Sequence, residues 1–220
     1  MKNGRFVLPE PKGYDQAYEL AYKLAREKLA RIDDIEQQCH KTDTRYQVID
    51  SKKVIIVQYL NQSYLITLPD VQISLVDSTE GVPIRDKVLI LHYFISAKGT
   101  PATGRLVTFR ELLEGQVYSP TFYKRTIKPL LDNFGKEPHR LVEISQRMGG
   151  HKADYGDTAV TINAFSRVPI TIVLWQGDEE FVPQGNIVFD ANISDYLSTE
   201  DITVLCETIT WRLIRHLREG

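Results

Sequence analysis

Cysteine is scarce in this chain. Only Cys39 and Cys206 occur, and no Cys-x-x-Cys pair is present. That excludes an iron–sulfur cluster or zinc ribbon built from clustered thiols. Two isolated thiols in an unexported chain are expected to stay reduced. Long apolar runs are missing as well. The longest, Val88–Ile95, is interrupted by His92 and falls far short of the roughly 20 residues that span a bilayer. The first thirteen residues hold no apolar stretch of leader length. The expectation is a cytoplasmic protein with no membrane partner.

Charge of one sign is lacking too. The formal net charge is −2, so no overall field draws the chain to nucleic acid. The charges are unevenly spread, however. Lys98–Lys152 carries ten Lys and Arg against five acids, and Asp154–Asp201 carries nine acids against Arg167 alone. The two blocks either pack on each other or present one face to a charged ligand or partner. Chemical motifs are sparse. There is no GxxxxGK[ST], no GxGxxG after a strand, no HExxH and no GxSxG, so no cofactor or resident metal is expected.

What is present reads as segregated helices and strands. Tyr18, Ala21, Tyr22, Ala25, Leu29 and Ile32 recur at helical spacing and predict one long amphipathic helix over Gly13–Gln38. "RYQVI", "KVIIVQYL" and "SYLITL" are separated by turn residues and predict an antiparallel meander, with "VQISLV" as a half-wet strand after it. Val82–Ala97 is apolar almost all round, opens with Pro83 and predicts a buried helix, with His92 as a hydrogen-bonded core residue. Thr108–Glu111 forms a capping box. The short helix it opens is expected to stop at Gly115. Ser119-Pro120 is expected to open the next helix, with Tyr123 among its inward residues. Pro138 opens a third helix that ends at Met148–Gly150. The segment Gly149–Asp157 reads as a glycine-rich loop. Two strands, "TAVTINAF" and "VPITIVLW", precede a long C-terminal helix capped by Ser198 or Thr199. The fold class is α+β: a mainly antiparallel sheet packed with helices, long helices at both termini, and a single domain over 1–220.

The stretch "LWQGDEEFVPQGNIVFD" holds the best candidate chemistry. A strand is expected to turn through Gly177–Glu179 and return by Ile187–Phe189. Alternation would put Asp178 and Glu180 on one side and Glu179 on the other. With Asp190 they could hold a hard cation or act as acid and base; a solvated turn is the plainer alternative. Trp175 and Phe181 flank the acids as a pocket wall or a core plug. Arg110, Arg125 and Arg167 stand beside apolar residues and need partners. They are expected to pair with Asp157, Asp178, Glu180 or Asp190, or to line an anion pocket.

"TFRELLEGQVYSPTFYKRTIKPLLDNFG", "GGHKADYGDTAVTINAFSRVPITIVLWQGDEEF" and "NIVFDANISDYLSTED" resemble the bacterial and archaeal family called domain of unknown function 3786. The likeness covers roughly the whole chain and is strongest from Gly104 to Asp201; Ser166 departs from the family's usual proline. The resemblance implies a link to anaerobic metabolism and no particular reaction. The leading expectation is a non-enzymatic accessory protein that binds a small anion or a partner protein through Arg110, Arg125, Arg167, Trp175, Asp178, Glu180 and Asp190. The alternative is a carboxylate-based hydrolase or lyase, with or without a divalent cation.

Overall fold

The computed structural model describes residues 14–178 and 180–219. It is an α+β fold whose strands all pair antiparallel, as expected, but they divide between two sheets. Helix α1 (Tyr14–Leu29) and α2 (Ile35–Thr42) lead into strands β1 (Arg45–Ile49), β2 (Lys52–Tyr59), β3 (Gln62–Leu68) and β4 (Gln72–Leu75), which form a four-stranded meander. Helix α3 (Ile84–Ser96) crosses to the second half. There β5 (Leu106–Thr108), α4 (Gly115–Arg125), α5 (Ile127–Phe134), α6 (His139–Ser145), β6 (His151–Ala153), β7 (Thr158–Phe165), β8 (Val168–Trp175), β9 (Gln184–Asp190) and α7 (Thr199–Glu219) follow. The second sheet has the order β5-β9-β8-β7-β6.

Four local expectations need correction. The long N-terminal helix is two helices, and Gly13 lies outside the described residues. The Asp34 carboxylate accepts the Gln37 N–H at 2.8 Å. That caps a new helix and redirects the chain although the apolar spacing continues. Gly115 begins α4 rather than ending a helix, so α4 starts four residues before Ser119. A Cβ at Gly115 would lie 1.9 Å from the Phe109 carbonyl oxygen; the glycine marks close backbone approach, not a stop. On α4 it is Phe122 that is buried and Tyr123 that is 46% exposed. The glycine-rich segment after α6 contains β6, which pairs with β7.

The strands and α3 form as their patterns dictate. β2 and β3 bury Ile55, Val57, Tyr59 and Ile66, while β4 keeps one wet face. β7 turns Val160, Ile162 and Ala164 inward, and β8 is buried on both faces up to Leu174. The turn from β8 to β9 occurs where Gly177-Asp178 signals it. The two sheets touch where the Leu60 N–H donates to the Ala164 carbonyl at 3.0 Å. At this junction Phe165 stacks on Tyr59 (4.9 Å) and on Tyr93 of α3 (4.1 Å), and Tyr93 stacks on Tyr196 (6.1 Å). These rings join both sheets, α3 and the turn before α7 into one apolar cluster.

Leu91, on α3, is fully buried in that cluster. Leu91→Ala is expected to lower stability by about 2–5 kcal/mol in denaturant unfolding. An unchanged midpoint and slope would show that α3 does not organise the core.

Candidate functional site

Of the three adjacent charges in the first turns of α3, Arg85, Asp86 and Lys87, the first two lie inward. Both are buried, at 4% and 3% exposure. Both reach α7. The Arg212 guanidinium donates to Asp86 at 2.6 Å, and the Tyr59 hydroxyl donates to the same carboxylate at 3.0 Å. Burial works against the Arg212 charge, but Asp86, then Tyr59 and Tyr64, more than offset it and hold its pKa above the ordinary value. Burial, reinforced by Asp86, pushes the Tyr59 hydroxyl well up. Arg85 approaches Glu207 of α7 at 3.8 Å, and Arg125 of α4 pairs with the same carboxylate. A charge left alone at such depth would cost several kcal/mol, so these pairs determine how α3, α4 and α7 sit.

Arg85 and Arg125 also border a hollow between the helices. A cleft of about 470 Å³ lies between α1, α3, α4 and the start of α7. At one end stand the two arginines and Tyr18, whose ring lies 5.7 Å from the Arg85 guanidinium. Burial raises the Tyr18 hydroxyl pKa although both arginines oppose the shift. The middle is apolar, lined by Val88, Leu89, Phe122 and Val204. At the other end His92 Nδ1 lies 2.7 Å from Asp201 Oδ1. Asp201 also receives the Ser198 hydroxyl at 2.6 Å and donates its N–H back to Ser198 Oγ at 3.1 Å, which closes the N-terminal turn of α7. Thr199 ties this end to the chain before α4 by donating to the Leu113 carbonyl at 2.8 Å. His92 is thus a half-exposed wall residue rather than a core histidine.

Of the seven residues put forward from the sequence as ligand-binding candidates, Arg125 alone lines this cleft. Arg110 is exposed, donates from Nε to Ser119 at 3.0 Å, and borders a separate, more open cleft of about 640 Å³ between α4 and β9. Arg167, at the β7–β8 turn, donates to the His40 carbonyl at 3.5 Å; burial raises the hydroxyl pKa of Tyr93 and Tyr196, and Arg167 opposes that rise. Trp175 is 41% exposed at the end of β8. Asp178 and Glu180 are exposed at the hairpin tip and do not turn inward to meet arginines. Glu179 lies outside the described residues. Asp178 Oδ1 instead accepts the N–H groups of Phe181 and Glu180, each at 2.8 Å, and these hold its carboxyl below the usual range. The turn satisfies its own acid, so no arginine is needed.

Asp190 sits far from that tip, at the end of β9, and is buried. It accepts both the N–H and the hydroxyl of Thr103, together with the N–H groups of Gly104 and Asn192, all at 2.8–3.0 Å. The expected grouping of Asp178, Glu180 and Asp190 does not form. Among the described residues no three His, Cys, Asp or Glu side chains converge as metal ligands. Sequence reading missed Arg85, Asp86, His92, Asp201 and Glu207 as a set. The signal was there: charges placed on otherwise apolar helix faces, which seldom occur without partners.

The fold and cleft define an α+β protein with a polar-ended cleft between helices, and no helix among the described residues is long and apolar enough to cross a membrane. The profile of the domain of unknown function DUF3786 matches residues 34–212, and the chain belongs to that family. No curated protein and no solved structure matches it significantly.

Asp86→Ala should leave Arg212 buried without its carboxylate and cost roughly 3–5 kcal/mol, whereas Asp178→Ala should barely move the melting temperature. Equal effects in thermal unfolding would contradict this assignment. Asp190 yields a pH test. Burial would raise its pKa, but the N–H donors of Asn192, Thr103 and Gly104 more than offset that and leave it lowered. Its ionised form therefore stabilises the fold above the ordinary carboxylate value of about 3.9. That contribution drains away as pH falls through this value towards the lower folded one. Asp190→Asn should be less stable than the parent at neutral pH, and the gap should narrow as pH falls below the ordinary carboxylate value. A gap that stays constant in denaturant titrations across that window would refute the assignment.

Proposed function

We propose that this protein is a non-enzymatic accessory protein that binds a small anion in the cleft between α1, α3, α4 and α7. One observation carries the reading: Arg85 and Arg125 both line the cleft and both reach Glu207. The shared carboxylate fixes the two guanidiniums in place before any ligand arrives, which reduces the ordering cost of binding. Guanidinium groups suit carboxylate and phosphate because their planar donors match two oxygens at once. The cleft volume falls within the range of small-molecule sites. A cytoplasmic setting is in keeping with Cys39 and Cys206, both buried free thiols. The link to anaerobic metabolism rests on family resemblance alone. The carboxylate-based hydrolase gains no support from the geometry, since its three acids do not share a cleft.

Calorimetric titration with inorganic phosphate and with octanoate tests the proposal. Saturable binding of at least one is expected, weakened about tenfold or more in Arg125→Ala and partly restored in Arg125→Lys, as loss of a charge-assisted hydrogen bond implies. Binding that is indifferent to Arg125, or no saturable binding at all, would overturn it.

A further inference from the structure

The cleft is polar at both ends and apolar between, and its ends differ in sign. Arg85 and His92 both line it from α3. Seven residues of helix separate them by about 10 Å. Asp201 and Glu207, six residues apart on α7, run in the reverse direction, each beside its partner on α3. The cleft therefore runs along α3, with guanidiniums at one end and the His92–Asp201 pair at the other. Val88, Leu89, Phe122 and Val204 floor the span between them.

The His92 end is negative. Besides Asp201, Glu114 and Glu200 line it, both exposed at the rim. The N-termini of α4 and α7 lie here too, each worth about half a positive charge. Together they offset about one of the three acids, so this end retains a negative surplus. Asp201 accepts from His92 Nδ1 in the neutral ring, which leaves Nε2 as a hydrogen-bond acceptor in the cleft wall. An acceptor backed by carboxylates favours a cationic donor.

We infer that the cleft takes a zwitterionic ligand whose carboxylate and amino group are separated by an apolar chain. The carboxylate sits on Arg85 and Arg125, the chain lies over Leu89 and Phe122, and the amine donates to His92 Nε2 near Glu114 and Glu200. This inference rests on the anion-binding reading above and assigns its ligand class. It differs from simple anion capture in requiring a second charge at a defined distance. A bare anion would leave the His92 end solvated, and a short amino acid would reach only one end.

Calorimetric titration at about pH 8 separates the two readings. The probes are 8-aminooctanoate, whose extended chain spans about 10 Å at ordinary bond lengths, octanoate and 4-aminobutyrate. The 8-amino acid is expected to bind about tenfold more tightly than octanoate, as one hydrogen bond to a charged group implies. The short 4-amino acid should lose that advantage because it cannot span both ends. His92→Leu should abolish the preference for the amine, bringing 8-aminooctanoate affinity down towards that of octanoate. His92→Gln, which restores a carbonyl acceptor, should recover part of the preference. A purely structural histidine would weaken both ligands equally. If octanoate and 8-aminooctanoate bind alike, or if His92→Leu keeps the preference, the zwitterion inference is overturned while anion binding stands. If phosphate and octanoate also fail to bind, the underlying reading falls with it.

Discussion

Two ion pairs between α3 and α7 constrain the rest of this molecule. Arg85 and Asp86 are neighbours on α3 with opposite charge, and their partners Glu207 and Arg212 lie five residues apart on α7. Sliding α7 along α3 would break both pairs together and leave charges buried without compensation. Hydrophobic faces alone tolerate such slippage, because contact area changes little over one helical turn. The charges therefore supply register where the apolar contacts supply attraction. Arg125 extends the same network to α4 by sharing Glu207. The cleft exists because these groups hold three helices at a fixed separation.

The aromatic stack through Tyr59, Phe165, Tyr93 and Tyr196 does the corresponding work for the sheets. Its Tyr59 end meets the ion network at Asp86 and Arg212, whose guanidinium lies 5.4 Å from the Tyr59 ring centre. The Tyr196 hydroxyl at the other end donates to the Thr100 carbonyl, while Asp190, Asn192 and Asp195 fasten the remainder of the 98–104 loop. An acid that resembled a catalytic candidate thus serves as a loop anchor. The reason lies in its surroundings. Four polar hydrogens converge on Asp190 where β9 ends, and a carboxylate there satisfies donors that burial would otherwise leave unpaired.

Much of the fold was legible in the sequence. Turn residues between β-branched runs marked the meander, the apolar run around His92 marked α3, and Gly177-Asp178 marked the β8–β9 turn. Those signals are local, set by backbone conformation and by the two periods of side-chain direction. The candidate site was far less legible. The acids of "GDEEF" stood out because they cluster in sequence, yet Asp178 is satisfied by amides two and three residues away. Arg125 was noticed, but its partner Glu207 lies 82 residues further on. Proximity in sequence and proximity in space had separated.

The sequence by itself determined the class of the fold, most of the strands and the burial of α3, because periodicity and turn chemistry act over a few residues. It also excluded thiol-clustered metal sites by the spacing of two cysteines and the common phosphate loops by the absence of their motifs. Only the tertiary structure decided which charges meet. It broke the first helix at Asp34, divided the strands between two sheets, and left Asp178 in water while it buried Asp86 and Glu207. Charge pairing depends on the packing of helices that are distant along the chain. A carboxylate's fate is settled by which donors surround it after folding, and no local pattern of residues records that.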